Sequence, residues 1–506
     1  MKKVVILALL AFSVLTVRAQ VRGTCGNMPS PESDKRILAS REMYNQIAWQ
    51  RAGDLKYIPV KFHLIAKSDG TGRVSEFDVL KQMCTLNEDY ADTDFRFYIK
   101  DASFSYKNSD AIYNSPRTSS IAHNQMLALK LANNNAVNVF VVNNIGSGSG
   151  GIGTVLGYYD SQGDWIVVIK GEVSGTTNTL SHEMGHFFSL EHTFYGWEGA
   201  PFDENSAGWP VAPFNSPNGP QTEKQDGSNC TVAADKICDT PPDYNFGLVW
   251  SNCNYAGGAQ DPSGALVNPM ENNQMSYFSG CYPYIFTEEQ KNLMYGDYAK
   301  SYRDYIKSSY IPDTTEITQK PTQISPANNA TGVPNVGVTL DWDDVPNASH
   351  YMVALSTSIT FGGNNQYFIT DQSQFTLPTL ETDKNYYWKV TAFNDGWSCV
   401  TGLISPKWKF RTAPVAVSDI EEIRGWDITP NPSYGPVRLV LDMDRAVKIK
   451  VDLISTDGRL LHSQDLPVPA GSHYYTLSSD GLPNGIYLVR LRSNKGVETK
   501  RLVVSH

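Results

Sequence analysis

The chain has 506 residues and a formal net charge of −10 at neutral pH. That charge, with no basic stripe to offset it, argues against nucleic-acid binding. Beyond the amino terminus there is no apolar run of about 18 residues, so no membrane-spanning helix is expected in the mature chain.

Residues 1–19 read as a secretory signal: Lys2 and Lys3, an apolar stretch over 4–15, and a small-residue cleavage site at Val17-Arg18-Ala19. Residues 20–55 are polar, with basic positions at Lys35, Arg36, Arg41 and Arg51, and are expected to be a removable pro-segment or loose arm. A folded unit starts with a strand over 57–66, where Ile58, Val60, Phe62 and Leu64 alternate. A helix over 76–90, a strand over 95–100, a helix over 121–132 and a buried strand over 137–142 follow. Residues 146–153 are glycine-rich and would leave backbone open as an edge for a peptide. After a strand over 165–170, Asn178 is placed to cap the next helix. Strands alternating with helices predict an α/β amino-terminal half. Residues 193–286 are rich in Gly, Pro, Asn and Asp, and a loop region of that length needs staples. A closing helix over 287–305 has Glu288 and Glu289 in its first turn, where the helix dipole favours them.

The helix after Asn178 carries His182-Glu183-Met184-Gly185-His186-Phe187-Phe188-Ser189-Leu190-Glu191-His192. Histidines four apart share a helix face and can reach one zinc ion at about 2.0–2.1 Å. His192 lies too far along for the same helix turn, so the chain must leave the helix and reverse before it becomes a third ligand. Three protein ligands leave a position open, the mark of a catalytic zinc. Glu183 is expected beside the metal as general base, taking the proton of the attacking water and delivering it to the leaving amine.

The seven cysteines are Cys25, Cys84, Cys230, Cys238, Cys253, Cys281 and Cys399. Export permits disulfides. The preferred local pairs are Cys230–Cys238 and Cys253–Cys281, although four cysteines leave three connectivities open. Cys84, inside a helix, reads as a small buried hydrophobe.

Residues 318–414 change character. Leu340 and Trp342 lie on one alternating strand, Tyr386, Trp388, Val390 and Ala392 on another, and Leu380 precedes Tyr386. The pattern resembles a fibronectin type III domain. In residues 426–506, Pro430-Asn431-Pro432, the Asp457-Gly458 turn, Gly485-Ile486-Tyr487 and the ending Lys500-Arg501-Leu502-Val503-Val504 resemble the C-terminal sorting domain of the Bacteroidetes type IX secretion system. That resemblance implies secretion machinery as a partner and a secreted or surface location.

The middle of the chain resembles a pappalysin-family metzincin metallopeptidase, through the zinc motif, Cys238-Asp239-Thr240-Pro241-Pro242, and Met275-Ser276-Tyr277 as the methionine turn. Met270 competes with Met275 for that role, but only Met275 has a tyrosine two residues on. The resemblance implies an apolar floor at Met275 and a hydrogen bond from Tyr277 to the tetrahedral oxyanion. It implies calcium near Asp235, Asp239 and Thr240, which offer hard oxygen ligands. It also implies latency, with a Cys25 thiolate filling the open zinc position; a disulfide from Cys25 to Cys84 or Cys399 is the competing arrangement.

The chain departs from the family pattern at Ser189, where the family has glycine. Positive φ at a serine costs on the order of 1 kcal/mol. An insert between His192 and Cys230, containing Trp197 and Trp209, would wall the cleft. Relatives that favour arginine after the scissile bond carry an acid past the methionine turn, whereas Phe278-Ser279-Gly280 has none, so no strict arginine preference is expected.

The fold expected is therefore multidomain: a signal at 1–19, a pro-segment at 20–55, an α/β metzincin-like catalytic domain at 56–310, then β-sandwiches at 318–414 and 426–506. The function expected is a secreted zinc endopeptidase acting on proteins or peptides. The alternative is an inert surface adhesin working through the fibronectin-like unit.

Overall fold

The computed structural model describes residues 23–47, 55–146, 154–204, 210–250, 253–361, 365–414, 420–478, 481–493 and 496–505. The signal region, residues 147–153 of the glycine-rich segment, Arg51 and Trp209 lie outside them. Two compact units form. The first comprises the described residues up to Asn328, with Thr339–Thr376 and Tyr386–Lys409; the second holds Asn329–Val338, Leu377–Asn385 and the described residues from Phe410 onward. Residues 318–414, expected as one domain, are thus divided between the units.

The first unit begins with β1 (Gly23–Cys25) and α1 (Pro31–Gln46). There follow β2 (Lys56–Ala66), α2 (Glu76–Asp89), β3 (Phe95–Ile99), β4 (Ser105–Asn108), α3 (Asp110–Asn114), α4 (Ser120–Ala132) and β5 (Val137–Val142). Then come β6 (Thr154–Asp160), β7 (Trp165–Ile169), α5 (Thr179–Phe187) and α6 (Glu288–Ala299). Seven strands make one sheet in the order β1-β6-β7-β5-β2-β3, with β4 also on β2. The central strands are buried end to end, as in a sheet covered on both faces: β5 reads Val-Asn-Val-Phe-Val-Val with every residue buried. All pairings are parallel except β6 with β7. Without β1, the antiparallel strand β6 would be an open edge.

Residues 20–55 are not a loose arm where they are described. Ser30 and Ser33 form a capping box, Pro31 opens α1 where no backbone donor is needed, and Ile37 is fully buried in the core. Helix α1 packs so tightly on α6 that a Cβ at Gly296 would sit 2.0 Å from the Ser40 carbonyl oxygen. The sequence missed this because a single buried apolar residue gives no helical stripe. Asn178 does occupy the N-cap of α5, but its side chain makes no cap bond; its carbonyl instead accepts from Gln274 Nε2 at 3.2 Å.

Cys84 is not a free hydrophobe. It forms a disulfide with Cys399, across a sequence separation of 315 residues. Cys230–Cys238 and Cys253–Cys281 are bridged as expected, and Cys25 is the free thiol among the described residues.

The first unit also contains β8 (Gln323–Ser325), β10 (Thr339–Trp342), β11 (His350–Ser356), β12 (Gln366–Thr370), β13 (Gln374–Thr376) and most of β14 (Asn385–Phe393), whereas β9 (Ala330–Val333) belongs to the second. Trp342 and Trp388 are buried with ring centroids 6.5 Å apart. In the second unit, after β15 (Trp408–Thr412), the strands β16 (Ile423–Thr429), β17 (Val437–Met443) and β20 (Gly471–Leu477) form one antiparallel sheet. The strands β18 (Val447–Ser455), β19 (Leu460–Val468), β21 (Gly485–Arg492) and β22 (Val497–Val504) form another. Alternate residues of both sheets, among them Leu439, Leu441, Val451, Leu453, Val489 and Leu502, share one core.

Candidate metal centre

Helix α5 presents His182 and His186 one turn apart, and the chain after Phe188 reverses at Ser189, whose φ is +70°. The reversal is held by Ser189 N donating to the His186 carbonyl at 3.0 Å and Leu190 N donating to the Gly185 carbonyl at 3.0 Å. It returns His192 to the other two: His186 Nε2 and His192 Nε2 lie 3.2 Å apart. One ligand atom from each of His182, His186, His192 and Cys25 falls within 4.8 Å of the others.

Each ring is aimed by its other nitrogen. His182 Nδ1 donates to the Gln274 carbonyl at 2.9 Å, and His186 Nδ1 to the Leu190 carbonyl at 2.8 Å. His192 Nδ1 meets Glu198 Oε1 at 3.3 Å. Such outer bonds fix the tautomer that leaves Nε2 as an electron-pair donor. Burial holds all three imidazoles neutral, with His182 and His192 lowered to about 3 and His186 also driven down. His182 Nε2 is buried with no hydrogen-bond partner. A buried polar atom without a partner is costly, and three converging neutral imidazoles fit a zinc ion. Glu198 was not singled out from sequence; it falls six residues past His192 in the loop-rich stretch and carries no motif signal.

Glu183 is fully buried beside this cluster, with Oε1 unpartnered and Oε2 accepting from the Cys25 thiol at 3.5 Å. Gly157 on β6 makes room for it: a Cβ there would meet the Glu183 side chain at 2.9 Å. Burial raises the Glu183 carboxyl to about 8, while the Cys25 contact lowers it. Burial, then the nearby Glu183, pushes the Cys25 thiol up. A dication in the cluster would invert both preferences.

Met275 lies under the histidines. It is fully buried, and a Cβ on Gly185 would strike its sulfur at 2.4 Å. Met270 is only partly buried and contacts Asn273 instead. Tyr277 stacks edge-on to His192 at 5.2 Å, and its hydroxyl accepts from the Cys25 amide at 2.7 Å. Asp243 ties the Met275-Ser276-Tyr277 segment to the chain after His192, accepting from Ser276 Oγ at 2.8 Å and Thr193 Oγ1 at 3.0 Å.

The amino-terminal strand enters this cleft parallel to β6, pairing Gly23 with Thr154 and Cys25 with Gly157. Asn27 then clips to Tyr159 through both backbone groups, at 3.0 and 3.3 Å, and Arg117 donates to the Gly26 carbonyl at 2.9 Å. Further on, Asp34 accepts from Lys236 at 2.5 Å and from the Tyr195 hydroxyl at 3.0 Å. Arg36 is sequestered over the Tyr159 ring and donates to the Phe187 carbonyl at 3.1 Å, and Arg41 donates to the Lys236 carbonyl.

The residues expected around calcium come together in part. Thr240 Oγ1 donates to the Asp235 carboxylate at 3.0–3.1 Å, but Asp239 is exposed and accepts from Glu289 N at 2.9 Å, capping α6. The neighbour the sequence did not reveal is Glu223. It is buried near Asp235, its Oε2 has no hydrogen-bond partner, and burial and the Asp235 charge raise its carboxyl to about 10.

After Met275-Ser276-Tyr277, Phe278 is buried and no acid follows directly. Asp89, the last residue of α2, accepts from Ser181 Oγ at 2.5 Å and from the Tyr282 hydroxyl at 3.3 Å.

Residues 80–193, which include the three histidines, match the reprolysin-like metallo-peptidase family M12B, and residues 427–505 match a secretion system C-terminal sorting domain. Together these support a metallopeptidase that is secreted or held at the cell surface. An extracellular metalloprotease of Colletotrichum graminicola is 27% identical over 207 residues, covering 36% of this chain and 68% of the relative. Among solved structures, the FN1–FN3 domains of chicken CNTN1 are 14% identical at a TM-score of 0.16, covering 37% of this chain and 66% of that one. A two-domain fibronectin type III segment of chicken tenascin is 15% identical at the same TM-score of 0.16, covering 37% of this chain and 99% of that one. Scores this low carry no argument about the fold. No helix among the described residues is long and apolar enough to cross a membrane.

Proposed function

We propose that this chain is the latent form of a secreted zinc endopeptidase of the pappalysin kind. The observation that carries the reading is the convergence of three neutral imidazoles and one thiol within 4.8 Å, beside a buried carboxylate. Zinc held by His182, His186 and His192 would supply the Lewis acidity that lowers the pKa of water and polarises a scissile carbonyl. Glu183 takes the proton of the attacking water and passes it to the leaving amine. Tyr277, once released from the Cys25 backbone, donates its hydroxyl to the oxyanion. The substrate backbone adds to β6 as an edge strand, in the place that β1 now fills. Phe278-Ser279-Gly280 and the fully engaged Asp89 support the absence of a strict arginine preference after the cut.

In this reading residues 20–55 are the pro-segment and Cys25 is the latency residue, its thiolate taking the open metal position. Arg36 and Arg41 are engaged within α1, so the activating cut falls after Gln46 rather than at either arginine. Calcium is proposed at Asp235 with Thr240 and Glu223 rather than with Asp239, on the strength of the unpartnered Glu223 oxygen.

The test is Glu183→Ala in the processed enzyme. Zinc content should match the parent while peptide hydrolysis falls by at least the ~10²–10⁴-fold typical of a general base. Undiminished hydrolysis would refute the assignment.

A further inference from the structure

Serine at residue 189 holds a left-handed backbone that glycine adopts at no steric cost, so its side chain needs a reason to be there. Ser189 is buried, and its Oγ donates to Asp297 Oδ1 on α6 at 2.5 Å. Asp297 is itself fully buried and firmly held. It accepts from Arg303 Nε at 2.8 Å and from the Tyr302 hydroxyl. The Arg303 guanidinium lies 3.7 Å over the Phe187 ring, donates to the Phe187 carbonyl, and pairs with Asp164 at 2.7 Å. The turn after α5 is thereby fastened to α6 and to the segment joining β6 and β7. On its other side, the same turn aims the Leu190 carbonyl at His186 Nδ1.

We propose that Ser189 and Asp297 are a positioning pair, whose hydrogen bond fixes the turn between the second and third histidines and so sets both imidazoles for the metal. The inference rests on the reading of those histidines as zinc ligands. A glycine would supply the backbone angle but not the bond. The departure from the glycine pattern is then a compensated design rather than a tolerated cost.

The experiment measures zinc dissociation constants of the full chain by chelator competition, alongside the melting temperature of the metal-free form. Ser189→Gly should melt close to the parent, because relief of the left-handed strain offsets much of the lost bond to Asp297, yet release zinc about tenfold more readily. Ser189→Asn should recover most of the affinity, because asparagine tolerates the left-handed region and its amide can donate to Asp297. Zinc held as tightly by Ser189→Gly as by the parent overturns the pairing, as does a loss that persists undiminished in Ser189→Asn. A parent chain that binds no zinc instead overturns the underlying metal assignment.

Discussion

The thiol of Cys25 lies 3.5 Å from the carboxylate of Glu183, so the amino-terminal arm occupies the space beside the carboxylate proposed as the general base. The arm is held there by more than one bond. Its backbone pairs with β6, Asn27 clips to Tyr159, and Asp34 meets Lys236.

Cys25→Ala should therefore weaken latency, because without the thiol the arm is held only by its pairing with β6 and the Asn27 and Asp34 contacts and leaves the cleft more readily. The full-length variant should cleave itself and a reporter peptide faster than the parent precursor, read as loss of intact chain over time. A stably inactive Cys25→Ala precursor would show that the thiol is not the block.

Glu198 orients His192 across 3.3 Å in a fully buried setting. Glu198→Gln should weaken zinc binding about 10–100-fold, within the range for partners of ligating histidines. Chelator titration reads this directly, and an unchanged titration would relegate Glu198 to packing.

Asp235 and Glu223 are neighbouring buried carboxylates, both raised by burial and Glu223 also by the Asp235 charge. Calcium should raise the melting temperature of the parent, by about 2.7 kcal/mol of stability at a hundredfold excess over its dissociation constant. Glu223→Gln should abolish the response, and scanning calorimetry with and without a calcium chelator checks it.

Asp297 is buried, and the charges of Arg303 and Arg36 hold its carboxyl down at about 2 against that burial. Because the folded value lies below the ordinary 3.8, this group's contribution is complete above about pH 4 and is lost as pH falls through 2. The contribution is on the order of 2 kcal/mol. Asp297→Asn should flatten the acid limb of stability between about pH 4 and 2, measured by denaturant unfolding, and an unchanged limb would contradict the assignment.

What the sequence disclosed was local. The spacing of His182 and His186, the alternation in β2, the run in β5 and the short-range cysteine pairs each lie within a few tens of residues. What it withheld was set by chain reversals. Cys84 meets Cys399 only across a sequence separation of 315, and Glu223 meets Asp235 through a loop with no periodic signal. Ser189 looked like a cost because its partner Asp297 lies 108 residues away on α6. The arm looked loose because its anchors, the pairing with β6, the single buried Ile37 and scattered polar contacts, each answer residues far along the chain.

His182, His186 and His192 are proposed to hold one catalytic metal ion. Elemental analysis of the purified mature protein, beside a His192→Ala variant, tests it most directly. One equivalent of zinc per parent chain, with most of it lost in the variant, is the predicted result; a parent with no transition metal, or a variant that retains its zinc in full, would contradict it.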